Sequence, residues 1–131
     1  MNLEPPHINL SMGWLWILVG FLSGMVMGLC FHRDDWLGGY GSFRRRLYRL
    51  GHISFFGLAL INLLFYFTAR LAPLEGGWVG TASWAFVIGA AAMPVCCVVM
   101  AHWRKAQALF AIPVISLITG AVCALKEIAS L

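Results

Sequence analysis

The chain has 131 residues, of which 61% are hydrophobic and 11% charged; its mean hydropathy is +0.84 and its formal net charge is +4. Soluble domains are about half apolar and about a quarter charged, so this composition excludes a soluble globular enzyme, a disordered chain, a collagen-like fibre and a disulfide-stapled secreted domain. Because the basic residues lie beside apolar segments, we expect the positive charge to meet lipid phosphate and not nucleic acid.

The chain contains four apolar segments of 20 residues each, at residues 12–31, 50–69, 82–101 and 106–125. None contains Asp, Glu, Lys or Arg, and a helix of about 20 such residues crosses the roughly 30 Å hydrocarbon core of a bilayer. No segment alternates polar and apolar residues with period two, which excludes membrane-spanning strands. The sequence therefore predicts an all-α integral membrane protein, a four-helix transmembrane bundle in which residues 1–131 form a single domain.

The first span carries glycines at steps of four, Gly20, Gly24 and Gly28, and His32 is the next step of the same stripe. Residues four apart share a helix face, and small residues let helices pack closely in lipid. The stripe therefore predicts a helix-packing face. The alternative is that the glycines leave room for a flat cofactor beside His32.

The loop at residues 32–49 is the most distinctive stretch and carries five arginines. Gly38, Gly39 and Gly41 permit turns, and Ser42 is suited to cap the second helix. Two interpretations stay open: the arginines anchor the topology at lipid phosphates, or they form a docking surface for another subunit. The residues that would dock a lipid or a partner are Arg44, Arg45, Arg46 and Arg49.

The distribution of Lys and Arg predicts the orientation. Seven of them lie in the 32–49 loop and the short link after the third span, whereas the other side has only Arg70 and Lys126. Because Lys and Arg accumulate in cytoplasmic loops, we predict that both basic loops are cytoplasmic and both termini outside. We expect Arg70 near Glu75, and Lys126 beside Glu127, to be solvated or paired groups at the outer surface.

Few polar side chains interrupt the spans. Asn62 needs a hydrogen-bonding partner in lipid and is expected to hold helices together, with contact to a ligand as the alternative. Pro94 and Pro113 each remove a backbone hydrogen bond and are predicted to kink the third and fourth spans. Gly120 lies on a small-residue face of the fourth span. The four cysteines all lie in apolar runs, which favours reduced thiols packed as small apolar side chains.

Three histidines lie near the predicted cytoplasmic boundary: His32, His52 and His102. Imidazole is a common ligand of metals and haem iron. His52 would be the first ligand of a b-type haem and His102 or His32 the second, or all three would hold one transition-metal ion. The alternative is three amphipathic rings at the headgroup boundary. His7 is expected outside, apart from the others.

No set of acids, bases and nucleophiles indicates catalysis, so the sequence predicts that the protein is not an enzyme. The leading hypothesis is a structural or accessory subunit that packs against other subunits, or against its own copies, in the bacterial inner membrane. A respiratory or other energy-transducing complex is the expected host. The second hypothesis is electron transfer through haem b on the three histidines, and the third is an oligomeric channel for a small solute.

Overall fold

The computed structural model describes residues 4–72, 74 and 76–131, so Glu75, the predicted neighbour of Arg70, lies outside the described residues. No strand occurs in the described part of the chain, and each of its four long helices is apolar enough to cross a membrane, which confirms the four predicted helical spans. The helices are α1 (His7–Cys30), α2 (Phe43–Leu71), α3 (Trp78–His102) and α4 (Ala111–Ala129). Short 3-10 helices precede α2 at Trp36–Gly38 and α4 at Arg104–Phe110.

Three helices begin earlier than their predicted apolar segments do, whereas α4 begins at Ala111, after the predicted residue 106, because Arg104–Phe110 form a 3-10 helix. α1 starts at His7 instead of residue 12, and α2 starts at Phe43 instead of residue 50. The apolar boundary marks where lipid contact is favourable, whereas a helix begins where its first backbone N–H groups find partners. At α2 that partner is the predicted cap: Ser42 Oγ accepts a hydrogen bond from the Arg45 N–H at 3.1 Å. The preceding turn uses Gly38 and Gly39, whose φ angles are +85° and +90°.

Consecutive helices pack as neighbours: α1 on α2, α2 on α3 and α3 on α4, with a smaller contact between α1 and α3. Half of the most apolar stretch of α3 is buried, against 17% of that of α1, so α3 forms the centre of the bundle. The antiparallel arrangement brings the 31–42 loop and the 103–110 link to one end, called the basic end below. The beginning of α1 and the α2–α3 connection lie at the opposite end.

Pro94 frees a backbone carbonyl that another helix binds, whereas Pro113 lies where its missing N–H costs little. Pro94 has no N–H to donate to the Ala90 carbonyl four residues earlier, and Trp16 of α1 donates its Nε1–H to that oxygen at 2.9 Å. Pro113 lies in the first turn of α4, where proline is accepted. The Cys96 thiol contacts the Leu109 carbonyl, four residues before Pro113, at 3.4 Å. Pro94 thus removes a hydrogen bond within α3 and leaves its carbonyl partner to bond α1 instead.

Close contacts at glycine join α3 to α4. A Cβ at Gly120 would lie 2.9 Å from the Phe86 ring, and a Cβ at Gly89 would lie 2.6 Å from Leu117 Cγ. The small-residue face predicted for the fourth span thus packs on α3. Cys96, Cys97 and Cys123 are buried, Cys30 is half-buried, and all four are free thiols.

Candidate functional site

An apolar pocket of about 370 Å³ lies between α1, α2 and α3 toward the basic end. His52 contributes to its wall from α2, Ser23 from α1 and Pro94 from α3. α3 comes close to α2 here because Gly51 has no side chain: a Cβ there would lie 3.2 Å from Cys97 Cβ. The pocket therefore combines one imidazole with walls that suit an apolar group.

His52 is oriented by α1. Ser23 Oγ lies 2.9 Å from the Gly20 carbonyl and 2.9 Å from His52 Nδ1; when its one proton is donated to Gly20, it accepts a hydrogen bond from His52 Nδ1–H. In the neutral imidazole this leaves Nε2 as the unprotonated nitrogen. A hydrogen bond at one ring nitrogen fixes the orientation of many metal-binding histidines, and Ser23 supplies such a bond to His52. Ser23 was missed by sequence reasoning, although it lies beside Gly24 on the first span.

The other two predicted ligands lie elsewhere. His32 is exposed on the loop after α1. His102 is also exposed, and its Nε2 lies 3.0 Å from the Tyr48 hydroxyl, on a second pocket at the basic end. Among the described residues no group of three or more His, Cys, Asp or Glu is placed to hold a metal ion. His7 lies at the opposite end, with its ring 5.7 Å from that of Tyr66.

The glycines of the α1 stripe differ in what lies next to them. A Cβ at Gly20 would lie 2.7 Å from the Phe56 ring, and one at Gly24 would lie 2.9 Å from His52 Cε1. The space that these two glycines leave is occupied by rings of α2 itself. A Cβ at Gly28 would meet nothing within 4 Å, whereas one at Gly13 would lie 2.6 Å from Leu63 Cγ. Gly13, two turns before Gly20, extends the stripe in the direction that sequence reasoning did not follow.

Asn62 belongs to a polar network that joins three helices toward the opposite end. It accepts a hydrogen bond from Asn9 Nδ2 of α1 at 2.8 Å and donates to the Leu58 carbonyl at 2.8 Å. Asn9 also donates to the Ser83 carbonyl of α3 at 3.2 Å and accepts from the Ser83 hydroxyl. All three polar side chains are fully buried. The network uses these groups within the bundle and presents none to a ligand.

The four arginines predicted to dock a lipid or a partner have different surroundings. Arg44 and Arg46 are exposed and Arg49 is half-buried, but Arg45 is only 6% exposed. Three aromatic rings enclose its guanidinium, with centroids at 5.0–5.5 Å from Cζ: Phe31, Trp36 and Tyr40. Such contacts are favourable. Arg45 therefore packs inside the loop, and Arg49 lies with its Cζ 4.5 Å from the centroid of the Tyr40 ring, so Arg44 and Arg46 are the accessible members of the set.

Lys126 and Glu127 fasten α4 to the start of α3. Glu127 is 6% exposed and its Oε1 accepts a hydrogen bond from the Trp78 N–H at 2.8 Å. Lys126 Nζ lies 4.2 Å from the centroid of the Trp78 ring. A carboxylate at a helix N-terminus is stabilising, so Glu127 acts as a cap from another helix. The sequence alone showed no reason to pair it with Trp78, 49 residues away.

A second surface feature lies between α3 and α4. It is an open depression of about 630 Å³, lined mainly by small and hydroxyl-bearing residues and bordered by the exposed Trp84. The lining residues are Gly77, Gly80, Thr81, Trp84, Ala85, Ile88, Ser116 and Thr119.

Comparisons with known proteins give no relative: no family model, no curated protein and no solved structure matches the chain.

Proposed function

We propose that the protein is a structural subunit that packs against another transmembrane helix, in a larger membrane complex or in an assembly of its own copies. The observation that carries the proposal is the depression between α3 and α4. Small residues allow close approach of a helix backbone in lipid, and the depression offers that approach on a face that the described residues leave uncovered.

The glycines of the depression are not explained by packing within the chain. A Cβ at Gly77 or Gly80 would meet nothing within 4 Å, in contrast to Gly13, Gly20 and Gly89, which contact neighbouring helices. Gly80 lies in the first turn of α3, and glycine in a helix is less favourable than alanine by up to about 1 kcal/mol. A partner helix packed against Gly80 would explain why this position is glycine and not a larger residue.

The polar groups within the helices support the same function. Trp16, Ser116 and the Asn9–Asn62 pair all bond to other helices at 2.7–2.9 Å. Polar groups committed to interhelical bonds stabilise an architecture, whereas a transport pathway needs them free for a substrate.

The proposed location is the bacterial inner membrane, with the basic end in the cytoplasm and both termini outside; a respiratory or other energy-transducing complex is the proposed host. The arrangement supports this orientation because both basic connections lie at one end of the bundle. Positive charge near span ends is retained on the cytoplasmic side. A C-terminal alkaline phosphatase fusion should be active and a C-terminal green fluorescent protein fusion dark; the reverse pattern would contradict the orientation.

Gly80→Leu tests the packing function, with Gly57→Leu as a matched control. Both positions are helical and accept a Cβ without contact within the chain, but only Gly80 lines the depression. In native gels of membranes solubilised in mild detergent, the wild type and Gly57→Leu should migrate in an assembly larger than the monomer, and Gly80→Leu should shift to lower mass. Expression of this chain in cells that lack the other subunits distinguishes self-association from binding to those subunits. Equal migration of both variants in the assembly would refute the proposal.

Binding of a b-type haem is the second candidate, favoured by the orientation of His52. In the neutral tautomer with its Nδ1–H on Ser23, Nε2 is unprotonated, and His52 lines an apolar pocket. A bound haem would supply one-electron transfer, and His52 would hold its iron. His102 and His32 do not line this pocket. A reduced-minus-oxidised spectrum of the purified protein should show an α-band that His52→Ala removes; a featureless spectrum from haem-supplied cells would reject this candidate.

A further inference from the structure

A second pocket, of about 440 Å³, lies at the basic end, between the first turn of α2 and the last turn of α3. Three nitrogen-bearing side chains line it: Arg44 from α2, His102 from α3 and Arg104 from the following 3-10 helix. Among the described residues no Asp or Glu lines this pocket. Its walls therefore concentrate positive charge.

Two of these side chains are held in place by aromatic neighbours. Arg104 Cζ lies 4.5 Å from the centroid of the Phe43 ring. His102 Nε2 lies 3.0 Å from the Tyr48 hydroxyl, and the two rings meet edge to face at 6.0 Å. Side chains positioned in advance lose less conformational freedom when a ligand binds. The pocket thus differs from a set of freely moving surface arginines.

The start of α2 adds to the positive potential. α2 carries no acidic residue in its first turn and instead has three consecutive arginines there, from Arg44 to Arg46. The N-terminus of a helix carries partial positive charge, so cations there are unfavourable and an anion is favourable. Arg104 follows the C-terminus of α3, where a cation is favourable without a ligand. Arg44 has no such compensation, and a bound anion would provide it.

The position of the pocket indicates the kind of anion. Residues 50–69 of α2 form the apolar stretch, and the pocket lies about two turns before it, at the depth of lipid headgroups. Trp36, Tyr40 and Trp103 lie at the same end, as aromatic residues do at membrane interfaces. Arg matches phosphate oxygens in charge and geometry, and basic pockets between transmembrane helices bind anionic headgroups.

We propose that the pocket lined by Arg44, His102 and Arg104 binds the phosphate group of an anionic phospholipid. This assignment is independent of the helix-packing function. Of the arginine cluster only Arg44 belongs to the proposed site, together with His102 and Arg104 from a different part of the chain, whereas Arg45 and Arg46 lie outside it.

The test is retention of phosphatidylglycerol by the purified full-length protein in a neutral detergent, measured by native mass spectrometry against phosphatidylcholine with the same acyl chains. The double variant Arg44→Gln/Arg104→Gln should weaken phosphatidylglycerol binding about tenfold or more, as expected for the loss of a charge-assisted hydrogen bond. The matched control Arg33→Gln/Arg46→Gln removes the same charge from exposed residues at the same end, outside the pocket, and should bind as the wild type does.

Three outcomes would overturn the proposal. Equal weakening of phosphatidylglycerol binding in both double variants would indicate a general electrostatic attraction, and equal retention of phosphatidylcholine by the wild type would show no preference for an anionic lipid. Displacement of phosphatidylglycerol by inorganic phosphate at millimolar concentration would assign the site to a free anion. Arg44→Gln alone keeps the contact between Arg104 and Phe43. Loss of binding in that variant, with thermal unfolding unchanged, separates a binding defect from a folding defect.

Discussion

The hydrogen bond from Trp16 to the Ala90 carbonyl provides a quantitative test of how the helices are joined. Pro94 deprives this carbonyl of its partner within α3, and the indole of α1 replaces it at 2.9 Å. Trp16→Phe keeps an aromatic ring but removes the donor, and so leaves a carbonyl unpaired in an apolar surrounding. An unsatisfied group costs about 1–3 kcal/mol, while hydrogen bonds between membrane helices contribute about 0.6–1.7 kcal/mol. We expect a loss of about 1–2 kcal/mol in the free energy of unfolding.

A double-mutant cycle isolates the hydrogen bond from the rest of the tryptophan. Pro94→Ala restores an N–H that can donate to Ala90 within α3, so Trp16→Phe should cost only about 0.5 kcal/mol in that background. The loss of edge-to-face packing against Phe55, whose ring centroid lies 5.6 Å away, is common to both backgrounds and cancels.

The assay is reversible unfolding of the purified protein in mixed micelles with increasing fractions of sodium dodecyl sulfate. Trp14→Phe is the control because Trp14 lies on the same helix and is 62% exposed; it should change stability by less than about 0.5 kcal/mol. If Trp16→Phe costs the same in the presence and absence of Pro94, the proline does not create the need for this donor and the reasoning is wrong.

Two further substitutions test the contacts of α1. Gly24→Leu should separate α1 from α2, because even a Cβ there would lie 2.9 Å from His52 Cε1. Gly28→Leu should be tolerated, because a Cβ there would meet nothing within 4 Å. The same unfolding assay compares the two variants, and equal stability would show that the glycine stripe does not pack against α2. Asn62→Leu removes an acceptor from the buried Asn9 amide and should cost about 1–3 kcal/mol; an unchanged midpoint would mean that the network contributes nothing.

The sequence by itself determined the helices and their apolar spans, because uncharged stretches of 20 residues have one stable form in lipid, with every backbone group bonded inside the helix. It also located the cap of α2, since the N–H group that Ser42 caps belongs to Arg45, three residues later in the chain. Local features of this kind depend on neighbours in the chain, which the sequence shows directly.

The partners of individual side chains depended on how the helices are rotated and how far they are shifted along one another. Gly24 and Gly28 are equivalent in the sequence pattern, but only Gly24 meets α2. The sequence showed that Asn62 needs a hydrogen-bonding partner. It did not show that Asn9 is that partner, because the two residues lie 53 positions apart.

The candidate sites show the same division most clearly. Arg44 and Arg45 are adjacent and chemically identical, yet one lines an open pocket and the other is enclosed by three rings. Successive residues point about 100° apart around a helix, so they face different neighbours. His52 and His102 likewise share a predicted depth but line separate pockets. Depth follows from position along a span and could be predicted; direction around the helix becomes meaningful only when the other helices are in place.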